Sequence, residues 1–332
     1  MSITKKQVVA ILEAFAVGDA LGMSTEFMTR VEILSTIGAV TDLVDSTLSA
    51  HHSDLEKGTI TDDTEQTLAL LERYILEGVS VNSTLEALLT WIEESDAVAK
   101  RFIGPSSLKA LQSIKEGSDP REAGKGGTTC GGIMRTLAPV LYAAALGSDR
   151  QEMLDMVVIA LLPTHYTSQA LEAACAYASA VYAALEGDSI DQIVNAAIEG
   201  GRYGMLKAPY QSCGASSVAR LIFIKEYLKT NPSDEVLLDF LFSVLGTGLE
   251  SADVFAAVFA LFLAHPGDTF KVLCLAASVG GDTDTIAALV GGLSRAYKAE
   301  SKIPSSIVET VYAVNKLSLD TLAERLAGLR KG

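Results

Sequence analysis

Apolar residues recur at helical spacing along nearly the whole chain, and nowhere do they alternate over the length of a strand. After residue 62, for example, Leu68, Leu71 and Ile75 share one helical face and Gly78 follows as a stop. The same periodicity predicts helices over 5–17, 83–94, 107–116, 135–146, 150–162, 166–186, 189–200, 215–229, 233–245, 251–264, 268–279, 284–299, 305–314 and 318–329. Alanine and leucine dominate and only 6% of residues are aromatic, a balance that suits close-packed helices and not strands. No repeat, linker or low-complexity tract interrupts the pattern. The expectation is an all-α fold in which residues 1–332 form a single domain.

Three segments break the helical pattern. Residues 38–60 read as a long polar loop carrying His51 and His52. Residues 117–132 are the most glycine-rich part of the chain and require a loop with close backbone approaches. Residues 201–215 read as irregular, with Tyr203 and Tyr210 in a position suited to stacking on a base.

Charge and cysteine usage narrow the functional classes. The formal net charge is −15, which argues against nucleic-acid binding, because that needs a basic surface to neutralise phosphates. Cys130, Cys175, Cys213 and Cys274 are widely spaced without a CxxC pair, so free thiols in a reducing compartment are expected rather than a disulfide framework. Glu13, Gly18 and Asp19 interrupt the apolar opening stretch, which reads as a mature helix and not a signal peptide. The apolar runs at 251–264 and 272–293 carry Asp, His or many Gly, unlike a membrane span. A soluble, cytoplasmic protein is the expectation.

Two acidic clusters carry the chemistry. One is Thr61-Asp62-Asp63-Thr64; the other is Gly280-Gly281-Asp282-Thr283-Asp284-Thr285. Each lies where a loop enters a predicted helix, so each taken alone reads as a helix cap, and Asp62 and Glu65 have capping-box spacing. Two clusters of the same Asp/Thr type point further. Neighbouring carboxylates repel, and a helix N-terminus offsets only about 0.3–1 kcal/mol per charge. Mg²⁺ or Mn²⁺, which favour carboxylate, hydroxyl and water oxygens, would hold them together. A third segment, Gly18-Asp19-Ala20-Leu21-Gly22, precedes Glu26; its glycines permit close helix packing and Asp19 reads as a buried structural acid.

In their order and spacing these segments resemble the ADP-ribosylglycohydrolase family, together with FIGPSSLKAL at 102–111, GGIMRTLAPV at 131–140 and Pro163-Thr164-His165. The family contains dinitrogenase-reductase-activating glycohydrolase and the ADP-ribosyl-acceptor hydrolases. The resemblance runs from GDALG to GGDTDTIAALVGGLSRAY, nearly the whole chain. It implies an orthogonal helical bundle around a binuclear Mg²⁺ or Mn²⁺ site held by Thr61, Asp62, Asp63, Asp282, Asp284 and Thr285, with Asp284 bridging the ions. Glu26 matches an acid that touches metal or acts in catalysis, and Asp63 is a second catalytic candidate. His165 matches a histidine of the ribose pocket, and the loop 126–132, with Gly127, Cys130 and Gly131, would wrap the ligand. The implied reaction is hydrolysis at the anomeric carbon of a ribose, releasing ADP-ribose from a protein side chain or a small compound.

One departure bears on substrate. The family commonly has Asn-Gly shortly before Met-Arg, whereas Cys130-Gly131 precedes Met134-Arg135 here. A thiol cannot replace the donor and acceptor of an amide. The metal motifs are untouched, so a smaller N-riboside or nucleoside is the alternative substrate, and a non-catalytic structural relative is the third reading. Cys130 has His165 as its nearest histidine in the sequence but no evident supporting acid, so a nucleophilic role is not expected. His51 and His52 read as solvated loop residues and not metal ligands, His265 as the end of a helix, and Arg135 as the partner of an acid in the fold.

Overall fold

A computed structural model describes residues 3–298 and 302–329. Seventeen α-helices are present among them. The first six are α1 (Lys5–Met23), α2 (Arg30–Thr36), α3 (Asp62–Glu77), α4 (Val81–Ser95), α5 (Pro105–Lys115) and α6 (Pro120–Ala123). The middle of the chain forms α7 (Leu137–Leu146), α8 (Arg150–Leu161), α9 (Ser168–Glu186), α10 (Ile190–Lys207), α11 (Ser217–Leu228) and α12 (Asp234–Phe240). The last five are α13 (Ser251–Ala264), α14 (Thr269–Ala277), α15 (Thr283–Tyr297), α16 (Ser305–Asn315) and α17 (Leu319–Ala327). The described residues contain no strand; the pairs Thr129–Glu250 and Thr167–Tyr210 form isolated bridges between loops. Among the described residues no helix is long and apolar enough to cross a membrane.

The all-α expectation holds, with differences at the boundaries. The first helix does not stop at residue 17 but runs through GDALG to Met23. α10 continues to Lys207, so much of the stretch read as irregular is helical. α2 has no counterpart among the predicted helices, because it has only seven residues, of which Arg30 and Ile33 are the buried ones. The predicted helix 233–245 ends as a π turn over 241–245 closed by Gly246 at φ 86°. Residue 299 of the predicted helix 284–299 lies outside the described residues.

α9, α13 and α15 are buried on almost every face, and their small side chains allow neighbours to approach closely. α1 crosses α15 at the centre, and α14 packs beside them. The crossing is close enough for backbone contact. A Cβ on Gly18 would lie 2.3 Å from the Ala287 carbonyl oxygen, and one on Gly22 would lie 2.3 Å from that of Thr283. From the other side, a Cβ on Gly291 would meet the Ala14 carbonyl oxygen at 2.5 Å. The interval between Gly18 and Gly22 is one turn, so both face α15. GDALG therefore sets the depth of the crossing, and with it the height of the Gly280–Thr285 loop against α1.

Replacing Gly22 by Ala forces these backbones apart. Overpacking of this kind costs about 1–3 kcal/mol. We expect Gly22→Ala to lower the urea midpoint accordingly, whereas Gly38→Ala, where an added Cβ meets nothing within 4 Å, acts only through its positive φ. Equal midpoints for Gly22→Ala and wild type would refute the close crossing.

Candidate metal centre

The centre forms where the N-terminus of α3, the N-terminus of α15 and the C-terminal end of α1 meet. Its first organiser is Asp19, which is fully buried. One Asp19 carboxylate oxygen accepts from both the N–H and the hydroxyl of Thr61, each at 2.8 Å. The other accepts from the N–H of Thr64 at 3.0 Å and from its hydroxyl at 2.5 Å. The amide of Thr64 is the third of α3, the donor an N-cap side chain normally satisfies. Thr61, at the N-cap position, makes no capping bond of its own. The capping box expected from Asp62 and Glu65 is therefore absent. Asp62 is already the first residue of the helix, Glu65 accepts from Trp91 Nε1 at 2.8 Å, and the cap comes from α1. Because Asp19 fills that role, Asp62 and Asp63 are free of it.

The second motif is placed by backbone geometry. Gly280 and Gly281 have φ of 86° and 84°, the left-handed region that glycine enters without a Cβ penalty. The Phe27 N–H donates to the Gly281 carbonyl at 2.8 Å, Gly281 N–H to Met28 at 3.0 Å, and Asp282 N–H to Thr247 at 2.8 Å. These bonds pin the Glu26–Met28 turn onto the loop that carries Asp282 and Asp284.

The two motifs then touch. Thr61 donates its hydroxyl to Asp284 at 3.2 Å, and Thr285 donates to Asp63 and Asp282, each at 3.2 Å. Oxygens of Glu26, Asp282 and Asp284 all lie within 4.8 Å of one another. Two unit charges at such a distance repel by roughly 3–4 kcal/mol at an effective dielectric near 20. Helix N-termini offset only a fraction of that. Burial, then the charge of Asp284, raises Glu26, Asp62, Asp63 and Asp282 well above the ordinary carboxylate range. Asp19 is pushed up to about 7 by the same two causes. Burial also raises Asp284 itself.

The donor set fits divalent cations. Asp63 Oδ1, Asp282 Oδ2 and Asp284 Oδ1 are buried without a hydrogen-bond partner, a costly arrangement for carboxylate oxygens unless a cation meets them. The donor atoms of the two motifs are carboxylates and hydroxyls, the ligands hard cations prefer.

A cavity of about 420 Å³ opens beside the acids. Glu26, Asp62, Asp282, Asp284 and Thr285 form its floor; Phe27, His51, His52, Arg101, Phe102 and Cys130 are on its walls. Its far wall is Thr129, Cys130 and Gly131 of the loop 126–132, which is stapled to the loop before α13. Cys130 N–H donates to Leu249 at 2.7 Å, and Ser251 Oγ donates to the Thr129 carbonyl at 2.7 Å. Burial and the neighbouring Asp282 raise the Cys130 thiol well above its usual range, so it is not a ready nucleophile. A larger groove of about 810 Å³ runs along α3 and α4, away from Asp282 and Asp284.

Gly127 and His165 sit one layer behind the cavity wall. A Cβ on Gly127 would lie 2.1 Å from the Thr164 carbonyl oxygen, and one on Gly132 would lie 3.0 Å from the His165 side chain. His165 is thus the surface on which the glycine loop packs. Its Nδ1 lies 2.9 Å from Thr164 Oγ1 and 3.4 Å from Arg135 Nη2, and its Nε2 faces Thr129 Oγ1 at 3.1 Å. Arg135, fully buried, does not pair with an acid, contrary to expectation. It donates to Gln66 Oε1 at 3.1 Å and to Thr164 Oγ1, and Gln66 in turn donates to Asp62 at 3.0 Å. An amide between the guanidinium and Asp62 relays orientation without a direct ion pair.

The histidines before α3 also differ from expectation. His52 is 2% exposed, and its Nε2 lies 2.5 Å from Glu26 Oε2. Burial, with His51 and Arg101 adding to it, pulls His52 down to about 4. Burial thus favours the neutral form of both groups. The polar sequence around His52 carries no sign of this burial. Tyr203 and Tyr210 lie elsewhere: Tyr203 donates to Asp155, and Tyr210 to Glu122 at 2.8 Å. His265 caps the end of α13 as expected and lies 2.7 Å from Asp234.

Among the described residues the fold is helical without strands, and acids from α1, α3 and α15 converge beside a cavity as a donor set that fits divalent cations. The chain belongs to the ADP-ribosylglycohydrolase family, whose pattern matches residues 2–332. It is 27% identical to the uncharacterized protein YegU of Escherichia coli over 98% of both chains. An uncharacterized protein of Archaeoglobus fulgidus is 30% identical over 85% of this chain and 84% of its own. ADP-ribosylhydrolase ARH3 of Bos taurus is 24% identical over 87% of this chain and 84% of its own. A solved structure titled ADP-ribosylglycohydrolase-related protein complex shares the fold, with TM-score 0.68, 23% identity and 97% of each chain covered.

The carboxyl shifts fix the sign of a pH effect. Acids raised on folding contribute stability that is complete below their ordinary range near pH 4 and is lost as pH climbs through the raised values, which include about 7 for Asp19. In EDTA the melting temperature should therefore fall from pH 5 to pH 8. Mg²⁺ or Mn²⁺ should restore it, more at pH 8 than at pH 5, by about 2.7 kcal/mol per site at a hundredfold excess over Kd. A cation effect that is absent, or equal at both pH values, would contradict a cation-binding cluster.

Proposed function

We propose that this protein is a metal-dependent hydrolase that cleaves the bond at the anomeric carbon of a ribose, releasing ADP-ribose from a modified protein side chain or a small ADP-ribosyl compound. The observation that carries this reading is the set of partnerless buried carboxylate oxygens of Asp63, Asp282 and Asp284, the last two residues on the floor of a ligand-sized cavity. Family membership and the ADP-ribosylhydrolase relatives supply the substrate class. One large apolar core supports residues 1–332 acting as a single domain.

In this reading Thr61, Asp62, Asp63, Glu26, Asp282, Asp284 and Thr285 hold two Mg²⁺ or Mn²⁺ ions. When bound, such ions supply fixed positive charge for sugar hydroxyls and lower the pKa of water. The chain's own groups do the rest. Glu26 stands on the cavity floor with Oε2 facing His52, and so can take or return a proton during glycosidic cleavage. Asp63, buried and hydrogen-bonded by Thr285, keeps a second carboxylate beside it as the other catalytic candidate. Cys130 and Gly131 shape the ligand wall, while Gly127 and His165 hold that wall in place. The position of His165 favours a supporting role over direct ribose contact.

A smaller riboside is the second reading, and two observations favour it. Among the described residues, Arg101 is the single Lys or Arg on the cavity wall available to a diphosphate, and it already donates to Asp54 at 2.9 Å. Cys130 offers no amide. Titration calorimetry of ADP-ribose into Mg²⁺-loaded and metal-stripped protein separates the cases. We expect binding only to the loaded protein. Asp284→Asn should abolish it, and Glu26→Gln should cut turnover by about 10²–10⁴-fold. Failure of ADP-ribose to bind fully loaded protein, with free ribosides binding instead, would replace the first reading by the second.

A further inference from the structure

We propose that Glu26, His51 and His52 form a separate site for a nitrogen-preferring transition metal of the Zn²⁺ class at the mouth of the carboxylate cavity. One ligand atom from each of the three residues lies within 4.8 Å of the others. Two imidazoles and one carboxylate form a donor set that binds Zn²⁺ or Co²⁺ well, whereas Mg²⁺ prefers oxygen alone. The acid cluster and this trio are thus chemically distinct, although they share Glu26.

The donors are held in place before any ion arrives. Ser49 Oγ accepts from the backbone N–H of both His51 and His52, at 3.2 and 2.9 Å. The His51 ring packs edge-on against Phe27, with centroids 5.0 Å apart, and against His52 at 4.6 Å. His52 is braced from its other side by Phe102 at 5.7 Å. Arg101, whose charge both imidazoles feel, pairs with Asp54 at 2.9 Å. His52 Nε2 and Glu26 Oε2, now 2.5 Å apart, need to part by about 0.8 Å to flank an ion with tetrahedral Zn–N and Zn–O bonds. His51, half-buried and on the cavity wall, leaves an approach from solvent.

Sharing gives the site a consequence. An ion held by the histidines draws Glu26 away from Asp282 and Asp284. A Zn²⁺-class ion should therefore inhibit any reaction that uses Glu26, even in excess Mg²⁺. This consequence rests on the function proposed above; the binding itself does not.

Co²⁺ is the probe, because imidazole coordination at a four-coordinate site produces visible absorption. Full-length protein saturated with Mg²⁺ is titrated with Co²⁺ and followed by calorimetry and absorption. We expect one histidine-dependent Co²⁺ site per chain. His51→Ala and His52→Ala should each weaken it by more than about tenfold and bleach the band, and His51→Ala should retain Mg²⁺ affinity. His51→Ala removes a half-exposed ring, so it keeps the test decisive should His52→Ala unfold. Asp284→Asn should lose Mg²⁺ binding and keep the Co²⁺ band. Co²⁺ binding that is absent, or unchanged in both histidine variants, overturns the inference and leaves the hydrolase reading standing. A histidine-dependent Co²⁺ band without Mg²⁺ binding does the reverse.

Discussion

Like-charge repulsion at the centre of the bundle is the constraint around which the rest is arranged. Asp19, Glu26, Asp62, Asp63, Asp282 and Asp284 converge in one largely desolvated region. Apolar burial elsewhere must outweigh their mutual repulsion, and it is extensive: α9, α13 and α15 offer almost nothing to solvent. The pocket is therefore a strained centre inside a rigid frame. Such a frame keeps the acids from separating to relieve their charge, which is what a preorganised cation site requires.

Asp19 shows how the frame controls the chemistry. It is an acid used for structure, capping α3 from α1 and receiving four hydrogen bonds from Thr61 and Thr64. Its place depends on Gly18 and Gly22, which bring α1 within backbone contact of α15. The same crossing lowers Glu26 toward Asp282, through bonds from Phe27 and Gly281. One short segment thus sets both motifs relative to each other. On the opposite wall, the path Asp62–Gln66–Arg135–Thr164–His165–Thr129 ties an acid of the floor to the glycine loop. A fully buried guanidinium in that path supplies positive charge near the acids without occupying their oxygens.

The helices and the two acidic motifs are legible in the amino-acid order alone. Helical periodicity is local, and acid pairs at helix starts are visible as such, so Thr61–Asp63 and Asp282–Thr285 stand out from the sequence. Caps are open to misjudgement for the same reason: the box expected from Asp62 and Glu65 obeys local spacing, while the true cap lies 45 positions from Thr64 along the chain. Pairing across such distances is settled by the packing of the helices. Packing buries His52 against Glu26 although a polar loop surrounds it, and gives Arg135 an amide and a hydroxyl instead of an acid. It also sets Gly127 and His165 behind the wall they were expected to line. Hydrogen bonds and charge act through space, and local pattern carries no information about which distant residue will arrive.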